Sequence, residues 1–106
     1  MTTVEQSILH RFKALLLERV ALYKLILFGS RARGEAEPDS DLDVIVIVNG
    51  PVDRDVRERI SVCAWEAGFA SGIVLVPVVY TREEWEEGPE RSSLLAQAVE
   101  REGIPV

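Results

Sequence analysis

Two aspartates separated by one residue, Asp41 and Asp43, are the residues of this sequence best suited to chemistry. They stand at the start of the stretch 42–48 (LDVIVIV), which is rich in β-branched residues and predicts a strand. Side chains alternate between the faces of a strand, so both carboxylates should point to one side, with Cα atoms about 6.6 Å apart. Carboxylate oxygens are the hard ligands that Mg²⁺ prefers. The pair therefore predicts a site for one or two magnesium ions.

A second group of residues precedes the aspartates and could bind the phosphates of a nucleotide. Gly29 and Ser30 directly follow the apolar stretch 22–28 (LYKLILF), which predicts a buried strand, and Arg31 and Arg33 come next. Glycine permits close backbone approach, serine offers a hydroxyl and an amide, and arginine binds phosphate oxygens through forked hydrogen bonds. A phosphate-binding turn beside a metal-binding acid pair predicts a nucleoside triphosphate site.

Each half of this motif also has an ordinary structural explanation. Gly-Ser after a strand is a common turn, the EAEPD segment could be a solvated loop, and Asp41 could simply cap the next strand. The combination is harder to explain in this way, because acids at positions 35, 37, 39, 41 and 43 repel one another unless cations or the arginines offset their charge. We therefore favour a nucleotide or metal site.

The segment GSRARG (29–34), followed by SDLDV (40–44), resembles the signature of the DNA polymerase beta-like nucleotidyltransferases, in particular the minimal nucleotidyltransferases. The resemblance implies that Gly29 and Ser30 bind the triphosphate of ATP, while Asp41 and Asp43 hold Mg²⁺ and act in catalysis. It implies two-metal transfer of a nucleotide to an acceptor hydroxyl, with pyrophosphate as the leaving group.

The resemblance also implies a partner protein. Many minimal nucleotidyltransferases act as antitoxins paired with a HEPN-domain toxin, and some transfer AMP onto a tyrosine of that toxin. Active members carry a third carboxylate on a later strand, but the stretch 73–80 (IVLVPVVY) contains no acid. The alternative is therefore a catalytically inactive protein of this fold that neutralises or assembles with its partner by binding alone. A subunit that borrows the missing acid from a larger assembly is a third hypothesis.

Helices and strands must position this motif. A capping box formed by Thr3 and Gln6, followed by apolar residues at helical spacing, predicts a first helix over about 4–20 with Glu5 on its exposed side. Asp53 predicts the start of a second helix that extends to Phe69.

The remaining elements complete an α/β fold. Residues 73–80 predict a third strand, in which Pro77 indicates an edge or a bulge because proline lacks an N–H donor. Residues 82–87 predict a turn or short helix, and the segment around 92–101 predicts a last helix. The short connection between the first two strands permits antiparallel pairing. We expect the two-layer fold of the polymerase beta-like nucleotidyltransferases, with helices packed on a short mixed sheet.

Length and composition restrict the classes of function. The chain has 106 residues, so we expect a single domain over 1–106. No apolar run reaches the roughly 18 to 20 residues of a membrane span, and we expect a cytoplasmic protein without membrane insertion. One cysteine and one histidine are too few for a structural zinc site, and we expect Cys63 in the core and His10 on the surface. The net charge of −6 argues against binding duplex nucleic acid.

Two tryptophans suggest where partners could bind. Trp85 is surrounded by glutamates, so we expect it at an interface with a basic protein, whereas we expect Trp65 on the rim of the second helix, in a packing role. The edge of the third strand could also pair with another chain, which allows a homo- or hetero-oligomer.

Overall fold

The computed structural model of the chain describes residues 2–29, 31–32, 34, 41–88 and 93–106. Its elements, in chain order, are α1 (Thr3–Arg19), β1 (Leu22–Phe28), β2 (Leu42–Val48), α2 (Arg54–Phe69), β3 (Leu75–Thr81), α3 (Arg82–Glu87), α4 (Leu94–Glu102) and β4 (Ile104–Pro105). The predicted order is confirmed, and both ends of β1 and of β2 agree with the sequence analysis. Strand β4 is not predicted, because two residues are too few to show a periodic pattern.

The four strands form one mixed sheet in the order β3-β2-β1-β4. Strand β1 is antiparallel to β2 and to β4, whereas β2 and β3 are parallel. The prediction of a mixed sheet is therefore confirmed. Strand β3 forms one edge, so that the missing N–H of Pro77 is tolerated there, as predicted.

Strand β2 is the centre of the core and is buried on both faces. Val44 and Val46 contribute to a cluster that packs against α1 and α2, while Ile45 and Ile47 contribute to a second cluster with α3 and α4. Side-chain alternation explains this division, because neighbouring residues of a strand point to opposite faces. The continuous apolar sequence of residues 44–48 is thus what allows β2 to be buried on both faces.

Helix α1 begins one residue earlier than predicted. Its N-cap is Thr2, whose hydroxyl accepts a hydrogen bond from the Glu5 N–H at 3.1 Å, while the Thr2 N–H donates to Glu5 Oε1 at 2.7 Å. The predicted box of Thr3 and Gln6 is wrong, and so is the predicted exposure of Glu5, which is 4% exposed. Thr2 and Thr3 are both suitable caps, so the sequence alone does not separate the two registers.

Helix α2 starts and ends as predicted. The Asp53 carboxylate caps it by accepting a hydrogen bond from the Val56 N–H at 2.8 Å. Cys63 is buried in the first core cluster and His10 is exposed, as expected. Arg19 near the end of α1 pairs with Glu66 of α2 at 3.3 Å.

The two tryptophans lie in different environments, and that of Trp85 differs from the prediction. Trp85 is only 9% exposed and its ring lies 5.3 Å from that of Tyr80, because the capped helix α3 turns this side chain onto the sheet. Trp65 is 64% exposed and contacts Phe69, with ring centroids 4.7 Å apart. The interface expectation for Trp85 is wrong, whereas Trp65 lies at the surface of α2, consistent with a place on the rim of that helix, and packs against Phe69. No helix in the described ranges has the length and apolar character needed to cross a membrane.

Candidate functional site

The candidate site lies where β1 ends and β2 begins. Because these strands are antiparallel neighbours, the last residue of β1, Phe28, stands opposite Asp43. The turn that starts at Gly29 and the acid pair are therefore brought to the same end of the sheet. This is the juxtaposition that a shared nucleotide and metal site requires.

The backbone of Gly29 packs directly against the side chain of Asp43. Gly29 has a φ of +81°, a conformation that glycine adopts easily and L-residues rarely do. A Cβ atom at this position would lie 2.6 Å from Asp43 Oδ2, which is closer than real Cβ atoms approach other atoms. The conformation and the contact together require glycine at position 29.

The carboxylates of Asp41 and Asp43 are close enough to interact electrostatically. Asp43 is half-buried and Asp41 is exposed. The pKa of Asp43 is raised above its ordinary value, first by burial and then by the negative charge of Asp41. Both effects disfavour a second negative charge here and would be relieved by a bound cation. Two carboxylates in this position fit Mg²⁺, which takes oxygen ligands and commonly completes its shell with water and substrate phosphates.

Arg31 is held inside the protein rather than at its surface. Its guanidinium donates to Glu5 Oε2 at 3.0 Å, and both side chains are only 6% exposed. Burial alone would raise the pKa of Glu5, but the hydrogen bonds from the Thr2 backbone and from Arg31 outweigh it and lower that pKa. Glu5 is not among the site residues predicted from the sequence; a capping box that starts at Thr2 is the signal that points to it.

Two predicted phosphate ligands, Ser30 and Arg33, lie outside the described residues, as do the acids at 35, 37 and 39. Their roles remain predictions. Gly34 is described: its N–H donates to the Arg31 carbonyl at 3.3 Å and its φ is +74°, which closes a turn after Gly29.

The strand beside the acid pair offers no further carboxylate. Val76 of β3 stands opposite Asp43 in the parallel register and is 37% exposed. The acids near β3 are placed elsewhere: Glu66 pairs with Arg19, and Glu84 caps α3 beyond the opposite end of the strand. In the part of the chain that the structure describes, no group of three or more His, Cys, Asp or Glu side chains could hold a metal ion.

Comparison with known proteins assigns the fold to a family. The family described as nucleotidyltransferase domain matches residues 9–100. The chain belongs to this family. The resemblance seen in the sequence and the predicted fold are thereby confirmed.

Three relatives illustrate the breadth of the nucleotidyltransferase family. The probable protein adenylyltransferase MntA of Haemophilus influenzae is 32% identical over 75 residues, which cover 71% of this chain and 66% of that protein. This chain thus spans just under two thirds of the length of that relative. A toxin–antitoxin structure with AMP-PNP matches with a TM-score of 0.63 and 23% identity, covering 91% of this chain and 69% of the other.

The third relative is a chain from a structure of a tri-AMPylated Shewanella oneidensis HEPN toxin in complex with an MNT antitoxin. It matches with a TM-score of 0.57 and 20% identity, covering 97% of this chain and 71% of the other. At this level of identity, both structural matches establish the nucleotidyltransferase fold and nothing more.

Proposed function

We propose that this chain is an Mg²⁺-dependent adenylyltransferase that moves AMP from ATP onto a hydroxyl group, in the first instance a tyrosine, of a partner HEPN toxin. It would thus act as the antitoxin of the pair, in the cytoplasm. The observation that carries the proposal is the contact between the Gly29 backbone and the Asp43 carboxylate, with Asp41 beside it, in a member of the nucleotidyltransferase family. The names of its relatives support the choice of AMP and of a toxin as acceptor.

Different residues of the chain would bind the triphosphate and the metal ion. The main chain at Gly29, together with Ser30 and Arg33, would bind the triphosphate, since glycine at this position leaves the turn open to phosphate oxygens. Asp41 and Asp43 would hold Mg²⁺ and act as the catalytic carboxylates. When bound, the ion would supply positive charge to the phosphates and lower the pKa of the acceptor hydroxyl.

The transfer itself balances without any other reactant. The acceptor oxygen forms a bond to the α-phosphorus of ATP while the bond from that phosphorus to the bridging oxygen breaks. Pyrophosphate leaves with the electron pair, and the acceptor proton passes to a carboxylate or to solvent. Asp41 is exposed and would be accessible to an acceptor, whereas the half-buried Asp43 lies against Gly29.

Transfer of label from ATP tests this proposal. The chain is purified together with the HEPN-domain protein proposed as its partner and incubated with Mg²⁺ and ATP labelled at the α-phosphate. We expect label on the partner, and loss of that label in the Asp41→Asn and Asp43→Asn variants. Absence of label above the level of these variants would contradict the proposal.

One observation favours a second function, in which the chain neutralises its partner by binding alone. Val76 stands where a third carboxylate could face Asp43, and no residue of β3 is acidic. Under this alternative, the Asp43→Asn variant would neutralise the toxin as well as the wild type does, and neither would transfer label. A Val76→Asp variant that gained transfer would identify the missing acid as the cause.

A further inference from the structure

Arg31 and Glu5 form a buried ion pair next to the candidate nucleotide site. The two charged groups are 3.0 Å apart, and each side chain is only 6% exposed. Arginine and glutamate are rarely buried to this extent unless they are paired. Because the loss of hydration can exceed the attraction between two buried charges, such a pair is weak evidence for a purely stabilising role.

The Glu5 carboxylate connects two parts of the chain that are distant in sequence. One oxygen accepts the Thr2 N–H at the start of α1, and the other accepts the guanidinium of Arg31, 26 residues away. The capping box fixes the direction of the Glu5 side chain relative to the helix. The place of Arg31 is therefore set by helix α1.

The turn held in this way is the one that begins at Gly29. Arg31 comes two residues after Gly29, and its carbonyl accepts the N–H of Gly34. Because Arg31 is paired with Glu5 of α1, the main chain at Arg31, and Gly34 through its hydrogen bond to Arg31, is tied to that helix. A side chain buried to this degree also presents little of its guanidinium to a phosphate in solution.

We infer that Glu5 is a positioning residue of the nucleotide site, and that Arg31 positions the turn after Gly29 rather than binding phosphate as the sequence predicted. The inference rests on the proposed function, because it assigns this turn to the nucleotide. Glu5 lies on α1, outside the nucleotide motif, and we expect it to be necessary for nucleotide affinity.

Nucleotide binding of matched variants tests the inference. Glu5→Gln keeps the size of the side chain and removes its charge, and Glu66→Gln does the same to the half-buried pair of Glu66 with Arg19 at the other end of α1. We expect Glu5→Gln to weaken binding of Mg²⁺ with AMP-PNP roughly tenfold, within the range seen for coupled neighbours, and Glu66→Gln to leave it unchanged. Glu5→Asp, which keeps the charge, should restore part of the affinity. Equal affinity in Glu5→Gln and the wild type would overturn the inference.

A double-mutant cycle separates positioning from direct phosphate binding. If Arg31 acts together with Glu5, the Glu5→Gln/Arg31→Gln variant binds nucleotide no more weakly than Arg31→Gln alone. If Arg31 binds phosphate independently, the two effects add, or Glu5→Gln binds more tightly because the guanidinium is released; either result contradicts the inference. Because the double variant removes both charges of the buried pair, it also provides a readout if Glu5→Gln does not fold.

A measurement without nucleotide distinguishes failure of this inference from failure of the proposed function. We expect Glu5→Gln to speed hydrogen exchange at the amides of Ala32 and Gly34, whereas Glu66→Gln should not. Unchanged exchange in Glu5→Gln would overturn the positioning role. If exchange speeds up as expected but the wild-type chain binds no AMP-PNP, the proposed function fails and the restraint on the turn stands.

Discussion

The main chain of Gly29 lies against the carboxylate of Asp43, so that a single methyl group at position 29 would meet Oδ2 at 2.6 Å. The two residues are distant in sequence and are brought together by the antiparallel pairing of β1 with β2. The pairing thus builds the proposed phosphate turn and one proposed metal ligand as neighbours. Substitutions at the turn, at the acid pair and in the supporting core therefore test the arrangement one part at a time.

Gly29→Ala should damage the site and reduce stability. Alanine must adopt a φ of +81° and also displace the Asp43 carboxylate. Gly50 is a matched control, because it has the same φ and a methyl group added there would meet nothing within 4 Å. We expect Gly50→Ala to cost about 1 kcal/mol of unfolding free energy, and Gly29→Ala to cost more and to lose AMP-PNP binding. Equal unfolding curves in urea, with binding retained by both, would show that the contact is unimportant.

The acid pair should lower stability when no cation is present. Asp43 is half-buried beside the like charge of Asp41, and its raised pKa reflects both burial and this repulsion. We expect Asp43→Asn to be at least as stable as the wild type at about pH 7 in EDTA. Added Mg²⁺ should raise the melting temperature of the wild type and not that of Asp43→Asn.

Asp53→Asn is the control for the magnesium experiment. Asparagine still caps α2, so this variant removes a carboxylate away from the site without removing its hydrogen bond. Its response to Mg²⁺ should equal that of the wild type. A melting temperature that rises equally in all three proteins would indicate binding elsewhere on the surface.

The Glu5–Arg31 pair should make stability depend on acid pH. The pKa of Glu5 is lowered in the folded chain from its ordinary value of 4.5, so its contribution is complete above that value and is lost as the pH falls through the folded pKa. Glu5→Gln should therefore be less stable than the wild type at neutral pH, by about 3 kcal/mol. The difference should shrink as the pH drops below 4.5. A difference that stays constant from neutral to acid pH would show that the Glu5 charge is not responsible.

The tryptophans should differ sharply in their effect on stability. Trp85 is 9% exposed and Trp65 is 64% exposed. We expect Trp85→Ala to cost about 3 kcal/mol in urea unfolding, because it leaves a cavity beside Tyr80, and Trp65→Ala to cost less than about 1 kcal/mol. The emission of Trp85 should lie at shorter wavelength than that of Trp65. Similar costs for both variants would contradict the packing of α3 on the sheet.

The sequence predicts the elements well where local signals are strong. Strands β1 and β2 end as predicted because Gly29 and the segment 49–51 interrupt continuous apolar stretches. Helix α2 begins as predicted because Asp53 is a strong cap followed by a clear apolar stripe. The acid pair and Gly29 could be found in the same way, since their spacing along two adjacent strands already places them at one end of the sheet.

The wrong predictions concern side chains whose burial depends on contacts between residues that are distant in the sequence. The burial of Glu5 depends on the approach of Arg31, 26 residues further along the chain, and helical periodicity contains no information about that contact. Trp85 lies among glutamates that reach solvent, but its own burial depends on how α3 turns back onto the sheet. Local pattern therefore predicts which elements form, and tertiary packing decides which charged or aromatic side chains they bury.

Adenylyl transfer can be followed with the α-phosphate label of ATP and the co-purified partner in the presence of Mg²⁺. The wild-type chain should label the partner on a tyrosine, and Asp41→Asn, Asp43→Asn and Gly29→Ala should each reduce that label to background while still binding the partner. Partner binding without label in the wild-type chain would contradict the proposed adenylyl transfer and would leave binding alone as the function of this domain.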